Sequence, residues 1–290
     1  MCELLGMDCN TPTDIVFSFT GLAKRGGATG PHEDGWGLAF FDGPAARVFL
    51  DPQPCARSPL ANFLREHPIK TLQAVAHIRR KTRGRVRLAN THPFVRELWG
   101  RHWVFAHNGT VKGAKALPLS GRFHPVGQTD SEHAFCWLLD RITERFRKEP
   151  SDRAKLFKLI ADSAGVIAEH GTFNFLLGDG RTLFARCDTR LWHIVRKAPF
   201  GRAQLKDDDV TVDFSEVTTP KDRVAIVATQ PLTTNEQWVR GEPASLWVFE
   251  KGALVATHKS GTPSEKSRRI LAREARSLTA PSHDAARSPR

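Results

Sequence analysis

Nine short strand-like runs, interrupted once by a pair of long helices, confine this chain to a few layered architectures. WGLAFF (36–41) and ARVFL (46–50) read as a hairpin across Asp42-Gly43-Pro44, and QAVAHI (73–78) and HWVFAH (102–107) follow. After the helices come TFNFLLG (172–178), TLFARC (182–187), LWHIV (191–195), VAIVAT (224–229) and SLWVFE (245–250). Most of these runs follow one another too closely for a crossover helix, so they pair antiparallel. The helical spans are 130–147, which aligns Phe135, Leu138, Ile142 and Phe146, and 152–169, which aligns Leu156, Ile160, Ala164 and Ile167. Each carries one apolar stripe that has to be buried on a sheet face. Strands, a helix pair and again strands predict an α+β fold with helices layered on antiparallel sheets.

Two shorter helices are expected near the start. Thr13 caps one with Ile15, Phe19 and Leu22 on its inner face, ended by Gly26-Gly27, and Ser58-Pro59 opens the other. No solenoid period or Pro/Ser-rich linker divides the body, so residues 1–257 read as one domain. Residues 258–290, with one helical turn between Ser267 and Leu278, read as a basic, disordered tail.

Five cysteines (Cys2, Cys9, Cys55, Cys136 and Cys187) without CxxC spacing argue against a disulfide framework or a structural zinc, and for reduced thiols in the cytoplasm. No basic leader and no run of about 18 apolar residues occurs, so neither export nor membrane insertion is expected. The net charge of +12 raises the question of nucleic acid. Eight Lys/Arg against three Asp/Glu from Lys259 onward put +5 in the tail and leave a diffuse +7 elsewhere. The densest run, RRKTRGRVR (79–87), lacks interleaved aromatics, which makes a nucleic-acid partner a minor reading. The histidines at 77, 92, 102, 107, 124 and 133 have no metal-ligand spacing, and no phosphate-binding glycine motif is present, so no metal or cofactor is expected.

Four features carry candidate chemistry, each beside a plainer explanation. Cys2 follows the initiator Met, and excision of Met1 would leave a thiol and a free α-amine on one residue. With a pKa of about 7.7–8.0, that amine can take the thiol proton directly or through water. Alternatively, Cys2 is only a small residue that permits Met removal. In WVFAHNGTV (103–111), Asn108-Gly109 reads first as a hairpin turn, yet the Asn108 amide and Gly109 N–H are also two donors suited to an oxyanion hole. Arg79, at the end of the 73–78 strand, is placed to grip a carboxylate in bidentate fashion, or belongs to a solvated basic loop. In GQTDSEH (127–133), Thr129 and Glu132 have capping-box spacing. Asp130 then either favours the helix dipole or accepts hydrogen bonds from a substrate ammonium.

Taken in order, MCELLGM, IVFSFTGL, RGG, HEDGWGLAFF, AHIR, ANTHPF, FAHNG, TDSEHAFCWLL and VATQPLTTNEQW resemble the class II glutamine amidotransferases, and within them the stand-alone YafJ-like branch, over residues 1–257. The resemblance implies a four-layer αββα N-terminal nucleophile hydrolase fold, with two antiparallel sheets between helices and the nucleophile at the start of the first strand. It further implies that Cys2 attacks the side-chain amide of glutamine, or of another γ-glutamyl compound, while Asn108 and Gly109 hold the oxyanion. Arg79 and Asp130 would bind the substrate's α-carboxylate and α-amino groups, and Thr82 would contact the substrate. The broader class often has tryptophan after the arginine and histidine after the threonine, where this chain has Arg80 and Arg83. No synthase domain follows within these residues, so any ammonia acceptor would be a separate enzyme.

Overall fold

The computed structural model describes residues 1–81 and 85–279. In chain order these form β1 (Glu3–Thr13), α1 (Val16–Lys24), β2 (Trp36–Asp42), β3 (Ala45–Asp51), α2 (Pro59–Glu66), β4 (Thr71–Ile78), β5 (Phe94–Leu98) and β6 (Arg101–Thr110). The helix pair α3 (Asp130–Arg145) and α4 (Arg153–Glu169) leads into β7 (Thr172–Gly178), β8 (Leu183–Cys187), β9 (Trp192–Lys197), β10 (Arg202–Gln204) and β11 (Thr211–Asp213). Last come β12 (Arg223–Ala228), β13 (Val239–Arg240), β14 (Ser245–Glu250), β15 (Ala253–Lys259) and α5 (Glu265–Thr279). One sheet runs β13-β9-β12-β1-β4-β2-β3, the other β15-β14-β8-β7-β6-β5, and β10-β11 is a separate ribbon.

Alternation along the strands sorts their side chains into three cores. Leu5, Met7, Trp36, Leu38, Ala76 and Ile226 pack under α1 and α2. Leu4, Val75, Ala106, Leu176, Ala225 and Trp247 fill the space between the sheets. Phe105, Phe173, Phe175 and Phe184 of the second sheet meet Phe135 and Leu138 of α3 and Ile160 and Ala164 of α4. The layer order is therefore αββα, as expected. Strand β1 lies at the centre of the first sheet, paired with β12 and β4, and its residues 3–9 are buried on both faces.

Several local expectations are corrected. Asn108 and Gly109 do not form a turn: they continue β6 and pair with Asn174 and Phe173 of β7. A Cβ on Gly109 would meet the Thr172 carbonyl oxygen at 1.9 Å, so the glycine serves close strand approach and not a hairpin. Thr13 closes β1 opposite Thr71, and the start of α1 is satisfied instead by Asp14, which accepts the Val16 N–H (3.0 Å). Ser58 does cap α2, accepting the Ala61 N–H. The sheet extends to Lys259, and 265–279 form a helix where disorder with a single helical turn was expected. Buried Ser267 fixes its first turn by donating to Asp188 Oδ2 (2.6 Å), and Ser264 accepts the Ser267 N–H. Residues 280–290, which complete the expected tail, lie outside the described residues.

Asp8 of β1 is buried, accepting the Gly252 N–H (2.6 Å) and a Gln73 amide hydrogen (3.2 Å). Burial pushes its carboxyl up to about 6, against the pull of these two donors. The fold therefore favours protonated Asp8, and this contribution is complete below about pH 4 and lost as pH rises through 6. At about 1.4 kcal/mol per unit, it is worth about 3 kcal/mol. Between pH 4 and 7, the wild-type unfolding free energy should fall relative to that of Asp8→Asn; parallel curves would contradict this.

Candidate active site

The start of β1 and the ends of β4, β6 and β12 meet at one end of the sandwich. Glu3 pairs with Ile78 and Leu4 with His77, which brings Cys2 to the chain leaving β4. There the Arg80 N–H donates to Cys2 Sγ (3.3 Å), and Sγ donates to the Arg80 carbonyl (3.5 Å). Burial raises the Cys2 thiol pKa, whereas the Arg80 amide, the N-terminal ammonium and Arg79 pull it down. Cys2 is half-buried and the other four cysteines are fully buried. Burial pushes Cys9 and Cys187 up to about 12 and Cys136 to about 11, and raises Cys55 as well. Cys2 is thus the least buried of the five cysteines.

Arg79 leaves β4 buried, its backbone held on both sides by the 34–35 loop. Its N–H donates to the Gly35 carbonyl (2.8 Å), and its carbonyl accepts the Asp34 N–H (3.1 Å). The guanidinium donates to the Arg85 carbonyl (3.3 Å). Asp34 also accepts the Lys81 N–H (2.8 Å) and pairs with Lys81 Nζ (3.2 Å), fixing the course of the chain after Arg79. Thr82 lies outside the described residues.

Across the sheet interface, Asn108 is fully buried near the end of β6 and its amide donates to Thr229 Oγ1 (3.4 Å). Thr229 Oγ1 also accepts the Leu4 N–H (2.9 Å), so one hydroxyl ties the oxyanion candidate to the strand that carries Cys2. Thr229 was legible only as a strand end. At the start of α3, Thr129 accepts the Glu132 N–H (3.1 Å), which is half of the expected capping box. Glu132 accepts instead the Val126 and Gly127 N–H groups (2.9 and 2.6 Å) and pairs with Arg96. Asp130, half-buried, accepts the Val111 N–H (2.8 Å), which brings its carboxylate to the chain just past Gly109.

Behind Cys2 lies a polar cluster that the sequence reading missed. Arg25 donates to Glu3 (3.1 Å), Asp207 (2.8 Å) and the Pro231 carbonyl (2.7 Å), and Gln230 donates to the other Glu3 oxygen (3.1 Å). His77, His92 and His107 are buried beside the site, where burial drives His77 down to about 3 and the other two downward as well. All three are neutral at pH 7; His77 and His107 hydrogen-bond, whereas His92 packs on His77 and Phe94. No cluster of metal-ligating side chains occurs among the described residues, and none of their helices is long and apolar enough to cross a membrane.

Residues 1–272 match the family model for class-II glutamine amidotransferases. The chain belongs to that family. The chain is 54% identical to YafJ of Escherichia coli K12 over 255 residues, 88% of this chain and all of that one. A Pseudomonas aeruginosa PA01 protein, assigned by prediction to the glutamine amidotransferases, has a crystal structure that matches at TM-score 0.70 and 45% identity, covering 88% of this chain and 100% of that one. Over 146 residues, 47% of this chain and 58% of the other, it is 36% identical to the γ-glutamyl-hercynylcysteine sulfoxide hydrolase of Mycobacterium tuberculosis. The glutamine phosphoribosylpyrophosphate amidotransferase of B. subtilis shares the fold at TM-score 0.57 and 15% identity, with 90% of this chain covering 49% of that one.

The close approach at Gly109 yields a further prediction. Gly109→Ala forces Cβ against the Thr172 carbonyl and against His107 Nε2 (2.7 Å), which itself bonds that carbonyl (3.1 Å). The end of β6 must then move away from β7, at about 1–3 kcal/mol for an overpacked site. A lower Tm is expected together with slower labelling of Cys2 by a glutamine analogue. An unchanged Tm would show that the strands yield without cost.

Proposed function

We propose that the mature protein cleaves the γ-amide of glutamine through a γ-glutamyl thioester on Cys2, releasing glutamate and ammonia. What supports this most directly is half-buried Cys2 at the head of the central strand, with the Arg80 N–H on its sulfur. Removal of Met1 frees the Cys2 amine, which takes the thiol proton. The thiolate adds to the γ-carbonyl carbon, and Asn108 and the Gly109 N–H receive the negative oxygen. Arg79 takes the α-carboxylate and Asp130 the α-ammonium, so the two charged ends of the amino acid fix the position of its amide. The Cys2 ammonium returns its proton to the departing nitrogen as the C–N bond breaks. Water, deprotonated by the same amine, then hydrolyses the thioester to glutamate and the free thiol. Ammonia leaves for a separate acceptor enzyme or for solvent.

The similarity to the mycobacterial hydrolase favours one second reading, hydrolysis of a γ-glutamyl peptide or thiol metabolite by the same thioester chemistry. A γ-diazoketone analogue of glutamine, followed by intact-mass and peptide analysis, tests the common mechanism. One adduct on Cys2 of a chain lacking Met1 is expected. An adduct elsewhere, or full activity in chains that retain Met1, would refute the proposal. Comparing kcat/KM for glutamine and γ-glutamyl dipeptides separates the two readings.

A further inference from the structure

His32, in the loop between α1 and β2, is buried against the nucleophile's backbone with both ring nitrogens engaged. Nδ1 lies 3.1 Å from the Arg25 carbonyl oxygen, and Nε2 lies 2.7 Å from the carbonyl oxygen of Met1. A neutral imidazole has one N–H and cannot donate to both carbonyls. Excision of Met1 removes one of the two. The Arg25 carbonyl then keeps the Nδ1 hydrogen, and Nε2 presents its lone pair to the place the Met1 carbonyl occupied.

In the peptide unit, the Met1 carbonyl oxygen and the Cys2 nitrogen are about 2.2 Å apart by standard bond lengths. The mature Cys2 amine therefore lies within about 5 Å of His32 Nε2, in direct contact or across one water in the position of the lost oxygen. The geometry points to His32 as a positioning residue for the catalytic amine. By accepting an N–H hydrogen, Nε2 directs the nitrogen lone pair towards Sγ, and it favours the ammonium form that must later protonate the leaving nitrogen. This role rests on the proposed Cys2 mechanism. The charged and titratable groups around the pair are Glu3 of β1, 4.0 Å from Nε2, Arg25 at the end of α1, Arg79 beyond β4 and His77 of β4. Arg25 already holds Glu3 at 3.1 Å, which leaves His32 to act on the amine.

The test compares wild type, His32→Ala and His32→Gln, each confirmed by intact mass to lack Met1. For His32→Ala, kcat should fall about tenfold or more, short of the roughly 10²- to 10⁴-fold of a lost general base, with KM little changed. Without its acceptor the ammonium is less favoured, so the acid limb of kcat/KM should move to lower pH. His32→Gln, whose side-chain oxygen can accept the same hydrogen, should recover part of both. A wild-type pH profile and kcat in His32→Ala would overturn the assignment. So would a loss of kcat without movement of the acid limb, since a merely structural histidine gives that result. If wild-type Cys2 itself takes no label from the diazoketone, the underlying mechanism fails, and that result is distinct from failure of the His32 role.

Discussion

Cys2→Ala should reduce turnover of glutamine and of γ-glutamyl compounds by about 10⁴- to 10⁶-fold, the range found when a covalent nucleophile is removed from other hydrolases. Its fold should survive, because the side chain is half-buried and its polar contacts are confined to the Arg80 amide and carbonyl, so stability should change by about 0.5 kcal/mol or less. The other four thiols cannot substitute, being fully buried and held protonated. A second variant isolates the base from the nucleophile. If a residue that is not excised precedes Cys2, the thiol remains but its nitrogen is an amide without a usable lone pair. Activity should then fall by about 10²- to 10⁴-fold, the usual worth of a positioned proton acceptor. Steady-state hydrolysis and intact mass on the same preparations check both. Wild-type turnover in either variant would remove Cys2, or its amine, from the mechanism.

Strands that are dense apolar runs stand out in the sequence even inside a sheet, whereas β1, at the centre of the first sheet, does not. Ser245–Glu250 and Thr172–Gly178 appear at their full lengths because each is a dense run of apolar residues between turn residues. Strand β1 does not stand out. It is covered by helices on one face and by the second sheet on the other, so apolar residues fall on both sides, while Gly6 and Asp8 break the run. A strand that is central in a two-layer sandwich loses the period of two that marks a half-exposed one. The Asn108-Gly109 pair misleads for a different reason. Its composition is that of a hairpin turn, but the β7 backbone passes so close that only glycine fits, and the same dipeptide serves an extended strand.

The site was legible in part, and the division is physical. Cys2, Arg79, Asn108, Gly109 and Asp130 belong to short motifs whose residue types are compatible with a nucleophile, two donors and two ionic grips, the roles that the resemblance implies. Their partners Thr229, His32 and Glu3 lie within the segments VATQPLTTNEQW, HEDGWGLAFF and MCELLGM, but their residue types announce no role there. They become meaningful only when β12 and the 25–35 loop come to lie against residues 1–4. Such contacts join residues up to 227 positions apart, and no local pattern encodes them.

Asn108→Ala should lower kcat by about 10²- to 10³-fold, or about 3–4 kcal/mol, with a much smaller change in KM. The reason for the split is that the carbonyl becomes a full oxyanion only after Cys2 adds, so a donor there is worth more in the transition state than in the substrate complex. Asn108 is held at its backbone and at its side chain. Its backbone carbonyl accepts an Asn174 amide hydrogen (3.0 Å), and its side chain meets Thr229 Oγ1 (3.4 Å). Thr229 Oγ1 accepts from both Asn108 and the Leu4 N–H, and the Asn108 side-chain oxygen has no hydrogen-bond partner among the described residues. Asn108→Asp keeps the size and the contact with Thr229 but exchanges the donor for a carboxylate, and should lose at least as much kcat as Asn108→Ala. Both variants should still bind glutamine through Arg79 and Asp130. Rapid-quench measurement of thioester formation at saturating glutamine separates this chemical step from binding. A kcat within about threefold of wild type in Asn108→Ala would leave the oxyanion to other donors, since one lost oxyanion-hole donor costs far more elsewhere.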